Sequence, residues 1–208
     1  MKLASEVASK LLQIKAIKLN PQNPFVWASG INSPIYCDNR IILSFPETRA
    51  FVVKALAEKS KDFGHFDIIA GVATAGIAFG ALLADELGLP FVYVRDKAKG
   101  HGRQNQIEGK LDADQRVLVV EDLISTGGSC LKAVDALKEF GCEVAGVIAI
   151  FSYGFESAKE NFAMAGCRFH TLTNYNELLK EAIQSDYINT GDMETLENWR
   201  EAPKKWLV

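Results

Sequence analysis

The sequence predicts an α/β fold: a central, mostly parallel sheet flanked by helices on both faces. Three observations carry this. Beyond Phe66 the chain alternates short apolar runs with segments of helical periodicity, the rhythm of βαβ units. The runs D-I-I-A-G-V, F-V-Y-V-R, R-V-L-V-V-E-D and V-A-G-V-I-A-I-F are apolar at almost every position, as strands covered on both sides are. Two of the helical segments are followed by glycine, Gly88 and Gly141, where helices commonly stop.

Taken in order, Leu3, Val7, Leu11 and Ile14 recur at helical spacing, which predicts an amphipathic helix over 2–16. Residues 20–46 hold Pro21, Pro24, Pro34 and Pro46 among aromatic and β-branched residues, a pattern of short edge strands and turns that predicts a small flap or hood. A helix is expected from Thr48 to Ser60. The strand D-I-I-A-G-V then runs into a glycine-bearing loop, Gly71 to Gly76, and a helix that ends at Gly88. After the strand F-V-Y-V-R, residues 96–110 are polar and glycine-rich. The strand R-V-L-V-V-E-D, the loop I-S-T-G-G-S and the helix C-L-K-A-V-D-A-L-K-E-F follow, and after Gly141 the strand V-A-G-V-I-A-I-F. A helix over 155–165, a strand from Arg168 to Leu172 and short helices near 175–184 and 193–201 complete the chain. The expected organisation is a single domain over 1–208, with a hood largely from 1–46, a core of about 47–172 and a helical tail over 173–208. Right-handed crossovers bring loops 71–76, 96–110 and 121–129 to one sheet edge, where ligands of such folds bind.

At 208 residues, 48% hydrophobic and 24% charged, the chain has the balance of a globular domain with its own core. Lys+Arg is 23 against Asp+Glu 26, a net charge of −3, which argues against broad nucleic-acid or anionic-membrane binding. Cys37, Cys130, Cys142 and Cys167 are dispersed without a C-x-x-C pair and read as thiols of a reducing compartment. The longest apolar stretch, Val144 to Phe151, is too short to span a bilayer, and the first residues lack the apolar run of a signal peptide. A cytoplasmic location is expected. His65 and His170 have no spaced partner and are not read as metal ligands. Trp199 and Trp206 are expected to anchor the tail helix or a dimer contact.

The most informative segment is R-V-L-V-V-E-D-L-I-S-T-G-G-S, Arg116 to Ser129. An apolar strand meets two adjacent acids, Glu121 and Asp122, and then hydroxyls and paired glycines directly before a helix. Consecutive glycines let backbone N–H groups turn inward, and the helix N-terminus adds its positive dipole end. Ser125, Thr126 and Ser129 can donate to phosphate oxygens. The acids have no use on a phosphate but suit vicinal sugar hydroxyls or a metal beside them. The spacing is neither G-x-G-x-x-G nor G-x-x-x-x-G-K-[ST], so the dinucleotide-binding and P-loop readings fail. A second segment, R-D-K-A-K-G-H-G-R-Q-N-Q-I-E-G over 95–109, alternates cations with glycines, which suits a lid that neutralises a leaving anion while excluding water.

The string V-L-V-V-E-D-L-I-S-T-G-G-S closely resembles the ribose-5-phosphate loop of the type I phosphoribosyltransferases. R-x-x-x-K-x-H-G from Arg95 to Gly102, and S-G-I-N-S-P-I-Y-C-D-N-R from Ser29 to Arg40, resemble the orotate phosphoribosyltransferases within that family. The resemblance implies the type I phosphoribosyltransferase fold, and an enzyme converting orotate and phosphoribosyl pyrophosphate to orotidine 5′-phosphate and pyrophosphate in de novo pyrimidine (UMP) synthesis. It implies that Arg95, Lys99, His101 and the run Glu121, Asp122, Leu123, Ile124, Ser125, Thr126, Gly127, Gly128 and Ser129 bind phosphoribosyl pyrophosphate. Glu121 and Asp122 would take the ribose hydroxyls, and Ser125 to Ser129 the 5-phosphate. Gly71 to Gly76 would approach the pyrophosphate with backbone amides. Lys99 and His101 would be catalytic, and Ser125 would also touch orotate. Mg²⁺ would accompany the diphosphate, held mainly by substrate and water, with no metal-ligating side chain assigned. A homodimer is implied, the lid over 95–109 serving the partner's site.

The chain departs from some members of the family. Ala28 stands where they have lysine, Asp96 where they have a second basic residue, Thr74-Ala75 where they have Tyr-Lys, and Tyr153 where an arginine helps hold orotate. Arg40 is a nearby cation to test for that contact, equally well explained as a surface salt-bridge residue. Two competing readings remain: the same fold acting on a purine or other base, and a non-catalytic regulator that binds phosphoribosyl pyrophosphate. S-G-x-x-S-P-I-Y-C-D favours orotate over the first. The absence of a basic face, and cations on a lid, oppose the second.

Overall fold

A computed structural model describes residues 2–27, 30–97, 106–203 and 205–206. Its centre is a six-stranded sheet of β5 (Ile68–Val72), β6 (Phe91–Val94), β7 (Ile107–Glu108), β8 (Arg116–Ile124), β9 (Glu143–Ser152) and β10 (Phe169–Asn174), in the order β10-β9-β8-β5-β6-β7. All neighbours are parallel except β6 and β7, which pair antiparallel. Alternate residues of β8 feed two separate cores. Leu118 and Val120 face the layer of α1 (Leu3–Gln13), α2 (Pro46–Ser60), α3 (Ala75–Leu87), α6 (Tyr175–Gln184) and α7 (Met193–Glu201). Val117 and Val119 face α4 (Gly128–Phe140) and α5 (Glu156–Met164). Burial on both faces is why these runs show no polar alternation.

The N-terminal segment forms two small antiparallel ribbons. β1 (Ile17–Leu19) pairs with β4 (Ile35–Cys37), and β2 (Phe25–Val26) with β3 (Asn32–Ser33). A 3₁₀ turn over Asn39–Ser44 then leads to α2, which starts at Pro46, a residue that lacks the N–H a first helical position would leave unpaired. Gly88 and Gly141 end α3 and α4 in the left-handed conformation, as expected.

Two differences from the sequence reading bear on the site. β8 does not stop at the acidic pair but pairs onward with β9, Leu123 with Phe151 and Ile124 with Ser152, because β9 is long enough to keep the ladder closed. β7 went unread because two residues are too few to show a period. It binds Tyr93 and Val94, so the antiparallel β6–β7 pair forms the base of the basic segment.

Candidate active site

The strand order of the sheet reverses between β5 and β8, which are themselves parallel. The strands after β5 add on one side, and β8, β9 and β10 on the other. Loops leaving the carboxyl ends of these two strands diverge to opposite faces and leave a cleft between them. A cleft of about 540 Å³ lies there, lined by Ala73 to Ala75 from the β5–α3 turn, by Glu121 to Leu123, and by Ser125 to Cys130 and Lys132.

The β5–α3 side is built by close approach. A side chain at Gly76 would collide with the Val120 carbonyl oxygen and meet Glu121 Cα at 3.3 Å, so α3 begins against the β8 backbone just before the acids. The Ala73–Thr74 peptide bond is cis, and the Ala73 N–H donates to the Val94 carbonyl at 2.9 Å.

The β8–α4 side is built as a cradle. Gly127 sits at φ +83 as the N-cap of α4, with no side chain capping the helix. Its conformation suits glycine, and a Cβ there would strike Phe162 at 2.6 Å. The first-turn N–H groups of α4 therefore remain available to a ligand anion. Thr126 and Ser129 are exposed, and Asn161 Nδ2 holds the Thr126 carbonyl at 2.9 Å.

Between the two sides lie the acids. Glu121 is 6% exposed. It accepts from the Asp122 N–H at 3.1 Å and from the Cys130 thiol at 3.7 Å. Burial first, and the neighbouring Asp122 charge second, push Glu121 far above the carboxylate range. Burial also raises Asp122, opposed by its hydrogen bond with Glu121 and by the positive charge of Arg40. Among the described residues neither acid is in an ion pair. This is an electron-rich surface with no ion-pair partner among the described residues, suited to hydroxyl donors or to a cation brought with a ligand.

Of the residues singled out in the sequence, Glu121, Asp122, Leu123 and Ser125 to Ser129 line one cleft, with the 73–75 turn opposite. Ile124 does not; it is 1% exposed, in the α4-side core, and has only its backbone to offer. Arg95 directly follows β6, and there its guanidinium pairs with Glu108 at 3.4 Å and its N–H donates to the Gln106 carbonyl at 2.8 Å. Lys99, His101 and Arg103 lie outside the described residues, as do Ala28 and Ser29. His65 binds Asp67 at 2.8 Å, and His170 lies edge-on to Phe63.

Three contributors were not read from the sequence. Lys132, on α4, lines the cleft and reaches Asp96 at 3.7 Å; its signal was its position four residues after Gly128. Cys130 backs Glu121. Asn39, fully buried, donates from Nδ2 to the Asp122 carbonyl at 2.8 Å and ties the hood to the cleft floor; no local pattern announces so long-range a bond. Tyr153 is 2% exposed and packs in an aromatic block with Trp27, Phe155 and Trp199, at ring distances of 5.3–5.7 Å.

Comparison with known proteins agrees with this geometry. The phosphoribosyl transferase domain matches residues 42–166. An orotate phosphoribosyltransferase of Listeria monocytogenes is 55% identical over 207 residues, covering 99% of both chains. One of Cytophaga hutchinsonii is 53% identical over the same share of each. Among solved structures, orotate phosphoribosyltransferase from Aeropyrum pernix superposes with a TM-score of 0.75 at 30% identity, covering 88% of this chain and 99% of that one.

Proposed function

This chain belongs to the orotate phosphoribosyltransferases, and from that premise we propose how its residues divide the work of the reaction. The enzyme transfers the 5-phosphoribosyl group of phosphoribosyl pyrophosphate to orotate, giving orotidine 5′-phosphate and pyrophosphate in pyrimidine biosynthesis. The observation that carries the assignment of residues is the cleft itself: two adjacent carboxylates, Glu121 buried and Asp122 partly so, followed by a helix N-terminus whose N-cap glycine has no side chain to cap it.

In this reading the 5-phosphate lies on the N–H groups and hydroxyls of Ser125 to Ser129, and the ribose 2- and 3-hydroxyls donate to Asp122 and Glu121. Ribose hydroxyls would add donors to carboxylates that no cation pairs among the described residues. The diphosphate lies toward the 73–75 turn. As the C1–oxygen bond breaks, its electron pair leaves with pyrophosphate, positive charge grows on the ribose ring, and orotate N1 bonds to C1. Lys99 and His101, with Arg95 at the lid's root, neutralise the departing diphosphate, and Ser125 touches orotate. Preplaced charge in a site shielded from water is the main source of rate here. Mg²⁺ accompanying the diphosphate would supply neutralisation of the leaving group's charge, and no described side chain is assigned to hold it. The hood, core and tail act as one domain in the cytoplasm. The molecule works as a homodimer, each lid closing over the partner's site.

Orotate absorbance should fall only when phosphoribosyl pyrophosphate and Mg²⁺ are both supplied; faster consumption of hypoxanthine or adenine would overturn the substrate assignment. The lid arrangement is tested by mixing. Lys99→Ala should lower turnover roughly 100-fold or more with little change in stability. Mixed with Asp122→Asn and allowed to exchange subunits, it should regain activity, because one site of each heterodimer is then intact. No recovery, with heterodimers present, would mean that each lid serves its own subunit.

A further inference from the structure

The base that this enzyme takes carries a carboxylate, and the position where some relatives place an arginine for it is here Tyr153, closed into an aromatic block with Trp199 and Phe155. A guanidinium is absent from that position. We propose that Arg40 holds the carboxylate of the incoming base, presented to it by Asp38 and held near the acidic pair by its neighbour Asn39, which is bonded to the Asp122 backbone. The proposal rests on the orotate reading and names the specificity residue within it.

The geometry of the hydrogen bonds carries the argument. Asp38 accepts from Arg40 Nε at 2.7 Å and from Nη2 at 2.8 Å. That contact occupies one edge of the guanidinium. The other edge, formed by Nη1 and the second Nη2 hydrogen, has the same two-pronged spacing and suits a second carboxylate. The Arg40 side chain is 62% exposed, so that edge is open to an arriving ligand.

The position is also set. Arg40 follows Asn39, whose buried amide binds the Asp122 backbone, so the turn bearing the guanidinium is anchored to the acid floor. The Arg40 charge is felt at Asp122 and at Tyr36 of the hood. A planar ring carrying a carboxylate, seated between the hood and the ribose site, lies within that field. Asp38 offsets the formal charge of Arg40 but holds its plane, trading raw attraction for orientation.

Steady-state kinetics on the full-length protein tests this. Arg40→Ala should raise KM for orotate roughly 10- to 100-fold, the loss expected for a charge-assisted pair, and leave KM for phosphoribosyl pyrophosphate within about twofold. Arg40→Lys, which keeps charge but loses the fork, should recover only part of the loss. Asp38→Asn should raise the orotate KM less than Arg40→Ala does. Melting temperatures should be unchanged, because the pair is at the surface. An orotate KM equal to wild type in Arg40→Ala, or equal rises in both KM values, overturns the proposal. Failure of the wild-type protein to consume orotate would instead overturn the reading beneath it.

Discussion

The carboxyl ends of β8 and β9 are adjacent in one parallel ladder and opposite in chemistry. β8 carries Glu121 and Asp122 near its end, carboxylates in no ion pair among the described residues, and opens past Ile124 into a loop of hydroxyls and glycines. β9 ends at Ser152 and the chain runs on through Tyr153 to Phe155, in a block of rings closed by Trp199, which is fully buried. The two ends share backbone geometry, so the difference lies in what the side chains are for. The β9 end contributes apolar burial and holds the tail helix. The β8 end gives up stability, because its acids are desolvated, Glu121 fully and Asp122 in part, before any ligand satisfies them.

That contrast can be broken from either side, and the largest effect belongs to the rings. Trp199→Ala should destabilise the fold by about 3–5 kcal/mol, since Trp27, Tyr153, Phe155 and Tyr175 lose a neighbour together. Calorimetry should show a fall of roughly 10 °C in melting temperature, with activity per folded molecule near wild type. A normal melting point would remove the block from the structural side of the comparison.

Asp122→Asn should do the reverse. It keeps shape and removes the charge aimed at the sugar, lowering kcat/KM by about 10- to 100-fold, as losing a charge-assisted hydrogen bond does. Melting temperature should hold or rise. A variant that melts early but works normally would make the acid structural.

The pH dependence of stability sharpens the same point. Burial raises Glu121 above its unfolded value, so the folded chain holds a proton that the unfolded chain releases. Stability is therefore greatest below the ordinary carboxylate pKa and declines as pH rises toward the raised folded value, by up to about 1.4 kcal/mol per pH unit. Thermal melts of the ligand-free protein from pH 5 to 8 should slope downward, and Glu121→Gln should flatten them. An unchanged slope in that variant would place the titration elsewhere.

The smallest effect is on β10. Thr173 is 1% exposed, and its hydroxyl has no hydrogen-bond partner among the described residues. Thr173→Val removes an unsatisfied polar group and keeps the shape, so it should stabilise by about 1 kcal/mol. A loss of stability in urea titration would show that the hydroxyl is satisfied after all.

Much of this was legible before any coordinates. Near-continuous apolar runs with glycine after the helices were enough for the parallel sheet, and E-D-L-I-S-T-G-G-S compressed one wall of the cleft into consecutive residues. What stayed hidden is non-local. The bond from Asn39 to Asp122 joins residues 83 apart in the chain. Lys132 enters the cleft only because α4 turns it there. β7 is two residues long and exists because β6 offers an edge. Local patterns report what a residue does to its neighbours in sequence, and these three depend on neighbours in space.

Gly76 carries a consequence for heredity. Its role is to leave room for the Val120 carbonyl, one residue before the acids, and it needs no part in chemistry. Every missense change in its codon adds a Cβ, and every added Cβ presses on the strand that aims Glu121 and Asp122. A genetic screen for lost activity should therefore recover codon 76 beside codons 121 and 122. Second-site revertants separate the two classes: a shift in packing can relieve position 76, and no shift in packing restores a missing carboxylate.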